Sequence, residues 1–339
     1  MSTLATNAIT DASGGNTASI NGYTPTMSNM AGRNRIINGD MRIDQRNAGA
    51  SVSMTATNSN SYILDRWRFW ANGSSGSAAY TVQQSSEAPA GFASSFVVTQ
   101  TASHSPTGSQ YNIFAQYIEG YNVADLGWGT ANAKTVTLSF WVRSSLTGTF
   151  GGAVSNSTQD RSYPFTYTIS SANTWEYKTI TIVGDTSGTW PTTTGIGLEI
   201  YWQLGVGSSY LGTAGAWAGT AYLGATGATQ ITATNSATLY ITGVQLEAGS
   251  VATPFERRLY GQELALCQRY YYKTTGHIYG TQGSVGYALW YLKTSMRATP
   301  TVTGIPAGRT NDYTTTEYVS VYTASGYPYF DNPTATAEL

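Results

Sequence analysis

The clearest periodic signal in the chain lies at residues 136–143, where Val136, Leu138, Phe140 and Val142 alternate with Thr137, Ser139, Trp141 and Arg143. A period of two places the first set on one face of a β-strand and the second on the other. Ile180 and Ile182 alternate in the same way with Thr179 and Thr181, and Leu198, Ile200 and Trp202 alternate with Glu199, Tyr201 and Gln203. These segments predict two-faced strands, each with one side for a core. Further strands are predicted over 62–70, 79–84, 95–101, 113–121, 166–169 and 238–246, with turn signals between them. Helical periodicity is absent, so residues 35–253 read as a sandwich or barrel.

Between Leu204 and Gln230 the chain becomes a Gly-Ala-Ser-Thr tract carrying Tyr210, Trp217 and Tyr222. It is too long for a hairpin, and its aromatics predict packing against another surface. Pro254 is then expected to open a helix over 254–273, since good helix formers run from Gln262 to Arg269. On it, Leu259, Leu266 and Tyr270 fall on one side and Leu264, Cys267 and Tyr271 on a neighbouring one, an arc wide enough to meet two surfaces. Such a helix either caps the sandwich or packs with its counterparts around a threefold axis. The second arrangement makes Leu259, Leu264, Cys267 and Tyr271 candidate oligomer-interface residues. Strands resume at 287–293, 301–303 and 318–322, giving a small β-domain over 274–339 that needs support from its neighbours. Residues 1–34 are small and polar and cannot build a core.

Composition sharpens the choice of partners. Only 10% of the 339 residues are charged, against roughly 25% in ordinary domains, and the net charge is −1. No basic field exists to attract nucleic acid or anionic lipid, and neither partner is expected. Solubility must rest on uncharged polar side chains, which suits a protein with large surfaces buried against its own copies. The single cysteine, Cys267, excludes an intrachain disulfide and argues against a thiolate metal site. The opening residues have no signal-peptide pattern and no run of eighteen apolar residues occurs, so neither signal-directed secretion nor membrane insertion is expected.

Little in the chain points to catalysis. His104 and His277 are the only histidines, each in a polar loop, and no nucleophile elbow, Walker loop, His-Glu-x-x-His or dinucleotide motif is present. Among Asp40, Asp44, Asp65, Glu119, Asp125, Asp160 and Glu199 no pair stands out for glycoside hydrolysis. The expectation is a non-enzymatic protein without a cofactor. The aromatics are more informative, because sugar binding needs aromatic faces and a few hydrogen-bonding groups. Trp141 and Arg143, on the non-core side of their strand, would neighbour Tyr201 and Gln203 if the two strands share a sheet. A glycan or a neighbouring subunit would cover them, so Trp141 is a candidate for both roles. Trp128 in Gly-Trp-Gly and Trp190 in Thr-Trp-Pro sit at turn signals, where they either line a loop-end ligand site or plug the sandwich end. Tyr318 and Tyr322, in a tyrosine-crowded C-terminal portion, complete the candidate ligand contacts.

Residues 35–46 read Arg-Ile-Ile-Asn-Gly-Asp-Met-Arg-Ile-Asp-Gln-Arg, and residues 237–249 read Ala-Thr-Leu-Tyr-Ile-Thr-Gly-Val-Gln-Leu-Glu-Ala-Gly. This pair resembles the first and last strands of jelly-roll modules of the carbohydrate-binding type, and a similar pair recurs in bacteriophage tail-fibre and head-fibre proteins. The segment 260–273, Tyr-Gly-Gln-Glu-Leu-Ala-Leu-Cys-Gln-Arg-Tyr-Tyr-Tyr-Lys, is similar to the phage branch, as are 296–303 and the final Ala337-Glu338-Leu339. The resemblance implies an all-β protein: a jelly-roll β-sandwich with an extended N-terminal segment, one helix and a small C-terminal β-domain. It further implies that residues 1–34 attach to another virion protein, although they read equally as a disordered tail. The implied assembly is a homotrimeric tail fibre, made in the host cytoplasm, carried on the virion and attached to host-surface glycans. A structural capsid or neck decoration, a head fibre and a polysaccharide-degrading tail spike are the alternatives. Modules of this kind often hold a calcium ion between the opening and closing strands. Asp40 and Asp44 match the opening side, but Thr242 and Gly243 stand where the family has an aspartate, so no metal is assigned.

Overall fold

The computed structural model describes residues 32–339 apart from 56–59, 74–78, 282–285 and 325, so most of the 1–34 attachment segment lies outside the described residues. In chain order the strands are β1 (Val52–Thr55), β2 (Asn60–Leu64), β3 (Trp67–Asn72), β4 (Ala79–Ser85), β5 (Ser95–Ala102), β6 (Tyr111–Glu119), β7 (Val136–Ser144), β8 (Gly148–Ser155), β9 (Ser162–Ile169), β10 (Glu176–Ile182) and β11 (Ile196–Val206). The short pair β12 (Leu211–Gly212) and β13 (Gly224–Ala225) precedes the long β14 (Thr238–Ala248). Two six-stranded antiparallel sheets, ordered β1-β4-β5-β14-β7-β10 and β2-β3-β6-β11-β8-β9, form the jelly-roll sandwich. The alternation in β7 is realised, with Val136, Leu138, Phe140 and Val142 all inside. Between the sheets Phe96 of β5 stacks on Phe114 of β6 at 4.0 Å, Phe114 stacks on Trp67 at 4.8 Å, and Trp202 meets Phe140 edge-on at 5.6 Å. Such pairs add about 0.5–1.5 kcal/mol each beyond the area they bury.

The opening stretch is not a strand. Residues 33–43 run irregularly beside β14, joined to it where Arg35 N donates to Leu246 O and Val244 N donates to Gly39 O, both at 2.9 Å. The reason lies in Asn38-Gly39-Asp40. Asn38 takes the left-handed region (φ 57°), and a Cβ on Gly39 would stand 2.2 Å from the Val244 carbonyl oxygen. The Asn38 amide group donates to the carbonyls of Ile43 and Asp65, which fixes the turn. Gly32 N and Asn34 N donate to the Glu256 carboxylate at 2.6 and 2.7 Å, so these residues are held on the sandwich.

The helix is shorter than the sequence predicts. It spans α1 (Tyr260–Gln268), and Pro254 lies in a non-helical run drawn against the first sheet. Cys267 and Tyr270 are buried against Ile37 and Ile43, with Leu264 and Leu266 partly buried beside them. The helix therefore caps the opening stretch. Cys267 and Tyr271 are buried inside one chain, which removes them as subunit contacts; burial also pushes the Cys267 thiol well above its ordinary range. Leu259, by contrast, is 74% exposed.

Tyr271 already belongs to the next unit. That unit contains β15 (Tyr271–Lys273), β16 (His277–Tyr279), β17 (Gly286–Tyr291), β18 (Thr301–Thr303), β19 (Thr310–Thr314), β20 (Tyr318–Thr323), β21 (Tyr329–Asp331) and β22 (Thr334–Thr336). They form the sheets β15-β22-β18, β16-β21 and β17-β20-β19 around Trp290, Met296, Val319, Val321 and Phe330. This small core is bolted to the sandwich by ions. Arg297 donates to the carbonyls of Thr194, Ala337 and Glu338 at 2.7–2.9 Å, and the Glu338 carboxylate pairs with Arg46 at 2.6 Å and with the buried Arg66.

Candidate functional site

The outer face of the first sheet carries a groove lined by the sequence candidate Trp141. Antiparallel register sets Tyr177 of β10 beside Trp141 of β7, and Trp141 beside Thr242 of β14. The Trp141 and Tyr177 rings lie 5.4 Å apart, with Tyr177 42% exposed. Phe92 and Phe255 meet edge-on at 5.2 Å to form the opposite wall, and the Arg257 guanidinium stands 4.6 Å over Phe92. Together with Ala90, Ala252, Thr253 and Pro254 they line an open groove of about 500 Å³. One register step along, Arg143 lies over Tyr240 at 5.0 Å and ion-pairs with exposed Glu87 at 2.6 Å, while Trp175 meets Tyr240 at 6.1 Å. The site thus offers a row of aromatic faces interleaved with two guanidinium groups, chemistry suited to the C–H faces and hydroxyls of a sugar chain.

The Val-Gln-Leu-Glu motif builds the far wall. Gln245 and Glu247 lie on the outer side of β14, where the chain after the strand covers them. Thr253 donates to Glu247 through its backbone N (2.8 Å) and its hydroxyl (2.6 Å), and Glu256 N donates to Gln245 Oε1 at 2.8 Å. These bonds fold 249–257 back over the sheet, and that places Phe255 and Arg257. A bulge in β14 between Thr242 and Gln245 includes Gly243 at φ 62°, where a Cβ would lie 2.7 Å from Phe92 and 3.1 Å from Trp141. Glycine lets the two groove aromatics approach the backbone. Gly243→Ala is expected to destabilise the protein by about 1–3 kcal/mol and to displace Phe92, a change that denaturant unfolding and a crystal structure of the variant would reveal.

Sequence reasoning placed Trp141 and Arg143 correctly on an outer face, but not Tyr201. β7 and β11 belong to opposite sheets, so Trp141 and Tyr201 cannot share a face. The second side of β11 is buried under the 207–230 tract, with Tyr210 against Tyr111 at 5.5 Å and Ala225 N donating to Gln203 at 3.0 Å. Tyr201 is fully buried and donates to Glu199, so it is no ligand contact. Trp128 and Trp190 stand perpendicular to each other and to Trp217 at 4.8–5.5 Å. All three indole N–H groups donate to nearby backbone carbonyls, and the cavity beside Trp128 and Trp190 holds only about 160 Å³. They plug the sandwich end. Tyr318 and Tyr322 lie partly exposed on β20, far along the chain from the groove. Of the carboxylates weighed for calcium, Asp40 pairs with Arg42 and Asp44 accepts from the backbone N of Asn47 and Gly49. Phe92, Tyr177, Phe255 and Arg257 escaped sequence reasoning. Tyr177 is in phase with Thr179 and Thr181 and could have been found by pairing its strand with 136–143; the two phenylalanines, alone in Gly-, Ala- and Pro-rich loops, carry no periodic signal.

Burial pushes the Glu199 carboxyl up to about 7 and that of Asp65 up to about 6, despite hydrogen bonds from Tyr201 and Gln159 to the first and from Gln45 to the second. In both cases the folded protein holds its proton more tightly than the unfolded chain. Their contribution to stability is full below the unfolded values near 4 and is lost as pH rises through about 6 to 7. The unfolding temperature should fall between about pH 4 and 7 on this account, and Glu199→Gln should flatten the upper part of that slope.

No family model matches the chain, and no curated protein does. Among solved structures it is similar to the enzymatically active domain of tailspike protein 4 of bacteriophage CBA120, at 16% identity and a TM-score of 0.33, over 63% of this chain and 21% of that one. A CBM4 structure matches at 16% identity and 0.33, over 62% of this chain and 97% of its own. The family 11 carbohydrate-binding module of Clostridium thermocellum, in complex with a β-1,3-1,4-mixed-linked tetrasaccharide, matches at 11% and 0.31, over 60% and 98%. The chain thus spans about a fifth of the tailspike domain and nearly all of each module. At these identities and scores the likeness says nothing about activity or ligand.

Proposed function

We propose that the protein is a non-catalytic phage fibre component that attaches to glycans on the host surface through the groove between Trp141–Tyr177 and Phe92–Phe255. The observation that carries this reading is the groove itself: an open, partly exposed aromatic surface with Arg257 beside it, offering ring faces and a guanidinium group together. The phage assignment rests on the sequence resemblance at 260–273 and 296–303. In this reading residues 1–34 join the chain to another virion protein. Three copies then multiply weak sugar contacts by avidity, with exposed Leu259 at the contact between copies.

The test is binding of the labelled protein to a panel of bacterial strains, before and after periodate oxidation of their surface sugars. Saturable, periodate-sensitive binding is expected for at least one strain. A correctly assembled protein that binds none of them would favour a structural decoration of the capsid or neck, and a monomer by light scattering would contradict the trimer.

A further inference from the structure

Exposed aromatics concentrate a second time, on the small C-terminal domain. Strand β17 alternates buried Gly286, Ala288 and Trp290 with exposed Tyr287, Leu289 and Tyr291. The inner set and Val319 and Val321 of β20 make the domain core, so nothing in the fold asks for large side chains on the outer set. Across the register Tyr287 faces Tyr322, Leu289 faces Ser320, and Tyr291 faces Tyr318; Tyr313 of β19 joins opposite Ser320. The rings of Tyr287 and Tyr322 lie 6.0 Å apart, those of Tyr291 and Tyr318 6.2 Å, and those of Tyr313 and Tyr318 6.1 Å. Tyr287, Tyr291 and Tyr313 are 50–68% exposed.

We propose that this tyrosine face is a second carbohydrate platform, separate from the groove, which takes a neutral oligosaccharide. A strand of six residues and two inter-strand spacings give a face of roughly 20 by 10 Å, the footprint of a short oligosaccharide. A sugar chain needs no more than that. The apolar surface is tyrosine with a single leucine, so each ring that could stack on a sugar face also carries a hydroxyl. Asp312 accepts from Ser320 Oγ at 2.9 Å in the middle of the face and leaves a carboxylate oxygen for sugar hydroxyls. It is also the one charged side chain on β17, β19 and β20, and its sign disfavours an anionic polymer. The tyrosine pairs at the two ends of β17 are about 14 Å apart, so one extended oligosaccharide can lie across both.

This inference extends the proposed glycan reading to another surface, and the two are separable. The full-length protein would be applied to an array of neutral oligosaccharides beside two double variants, Trp141→Ala/Tyr177→Ala in the groove and Tyr291→Ala/Tyr318→Ala on the C-terminal face. Some array ligands should survive the groove variant and weaken at least ~10-fold in the C-terminal one, the loss of about 1.4 kcal/mol. Tyr287→Thr/Tyr322→Thr, which keeps strand preference at the other end of the face, should weaken the same ligands and guards against a folding defect. Binding lost only in the groove variant overturns the second platform and leaves the groove; binding lost only in the C-terminal variants does the reverse. A parent protein that binds no array ligand overturns both. A fall in molecular mass by light scattering in the tyrosine variants would make the face a subunit contact and overturn the proposal.

Discussion

Glu338→Ala is expected to destabilise the protein by about 3–5 kcal/mol, among the largest effects of any single substitution outside the sandwich core. Arg66 is wholly buried: its guanidinium lies 3.6 Å over the Tyr270 ring and donates to the Tyr117 carbonyl and to Glu338. Burial works against that charge, and the neighbouring Glu338 carboxylate more than restores it, so the Arg66 pKa ends above its ordinary value. Removing the carboxylate leaves a buried cation without its ion-pair partner. Arg46, which reaches the same carboxylate at 2.6 Å from above the Tyr271 ring, would lose its partner as well. Denaturant unfolding measures the loss, and limited proteolysis should show cleavage between the sandwich and the C-terminal domain. The double variant Arg66→Met/Glu338→Met should recover part of the stability, because an apolar pair needs no desolvation. A Glu338→Ala protein as stable as its parent would show that the ion pair does not hold the two units together.

The elements legible in the sequence were those whose two faces meet different surroundings. β7 alternates because Leu138 and Phe140 enter the core while Trp141 looks outward, and the period of two states this directly. In β11 the same alternation is present, yet both faces are buried. What covers Glu199, Tyr201 and Gln203 is a tract of small residues whose path depends on long-range contacts such as Tyr222 N to Ser162 Oγ at 3.1 Å. Local pattern cannot report such a cover. The helix boundary failed for a related reason: Pro254 and Phe255 are held in a non-helical run by Gln245 and Glu247, through bonds that span up to eleven residues and override local preference. The groove was half visible. Its floor is strand, and its far wall is loop fixed by those same buried carboxamide and carboxylate groups.

Trp141→Ala should remove the centre of the groove and weaken glycan binding at least ~30-fold, the scale of a buried aromatic anchor worth about 2 kcal/mol or more. Tyr177→Ala should do less, since that ring is more exposed and supports Trp141 from the side. Neither side chain belongs to the sandwich core, so the unfolding temperature should move by only a few degrees in both variants. Loss of binding without loss of stability is the signature of a ligand contact; a subunit contact would instead lower the oligomer mass.

The most direct measurement is therefore a pair of binding isotherms, for the parent protein and for Trp141→Ala, on the same bacterial cells before and after periodate treatment. Saturable and periodate-sensitive binding by the parent, weakened at least ~30-fold in a variant of unchanged mass and near-unchanged stability, is the predicted result. Equal binding by parent and variant would contradict the groove as the site of attachment.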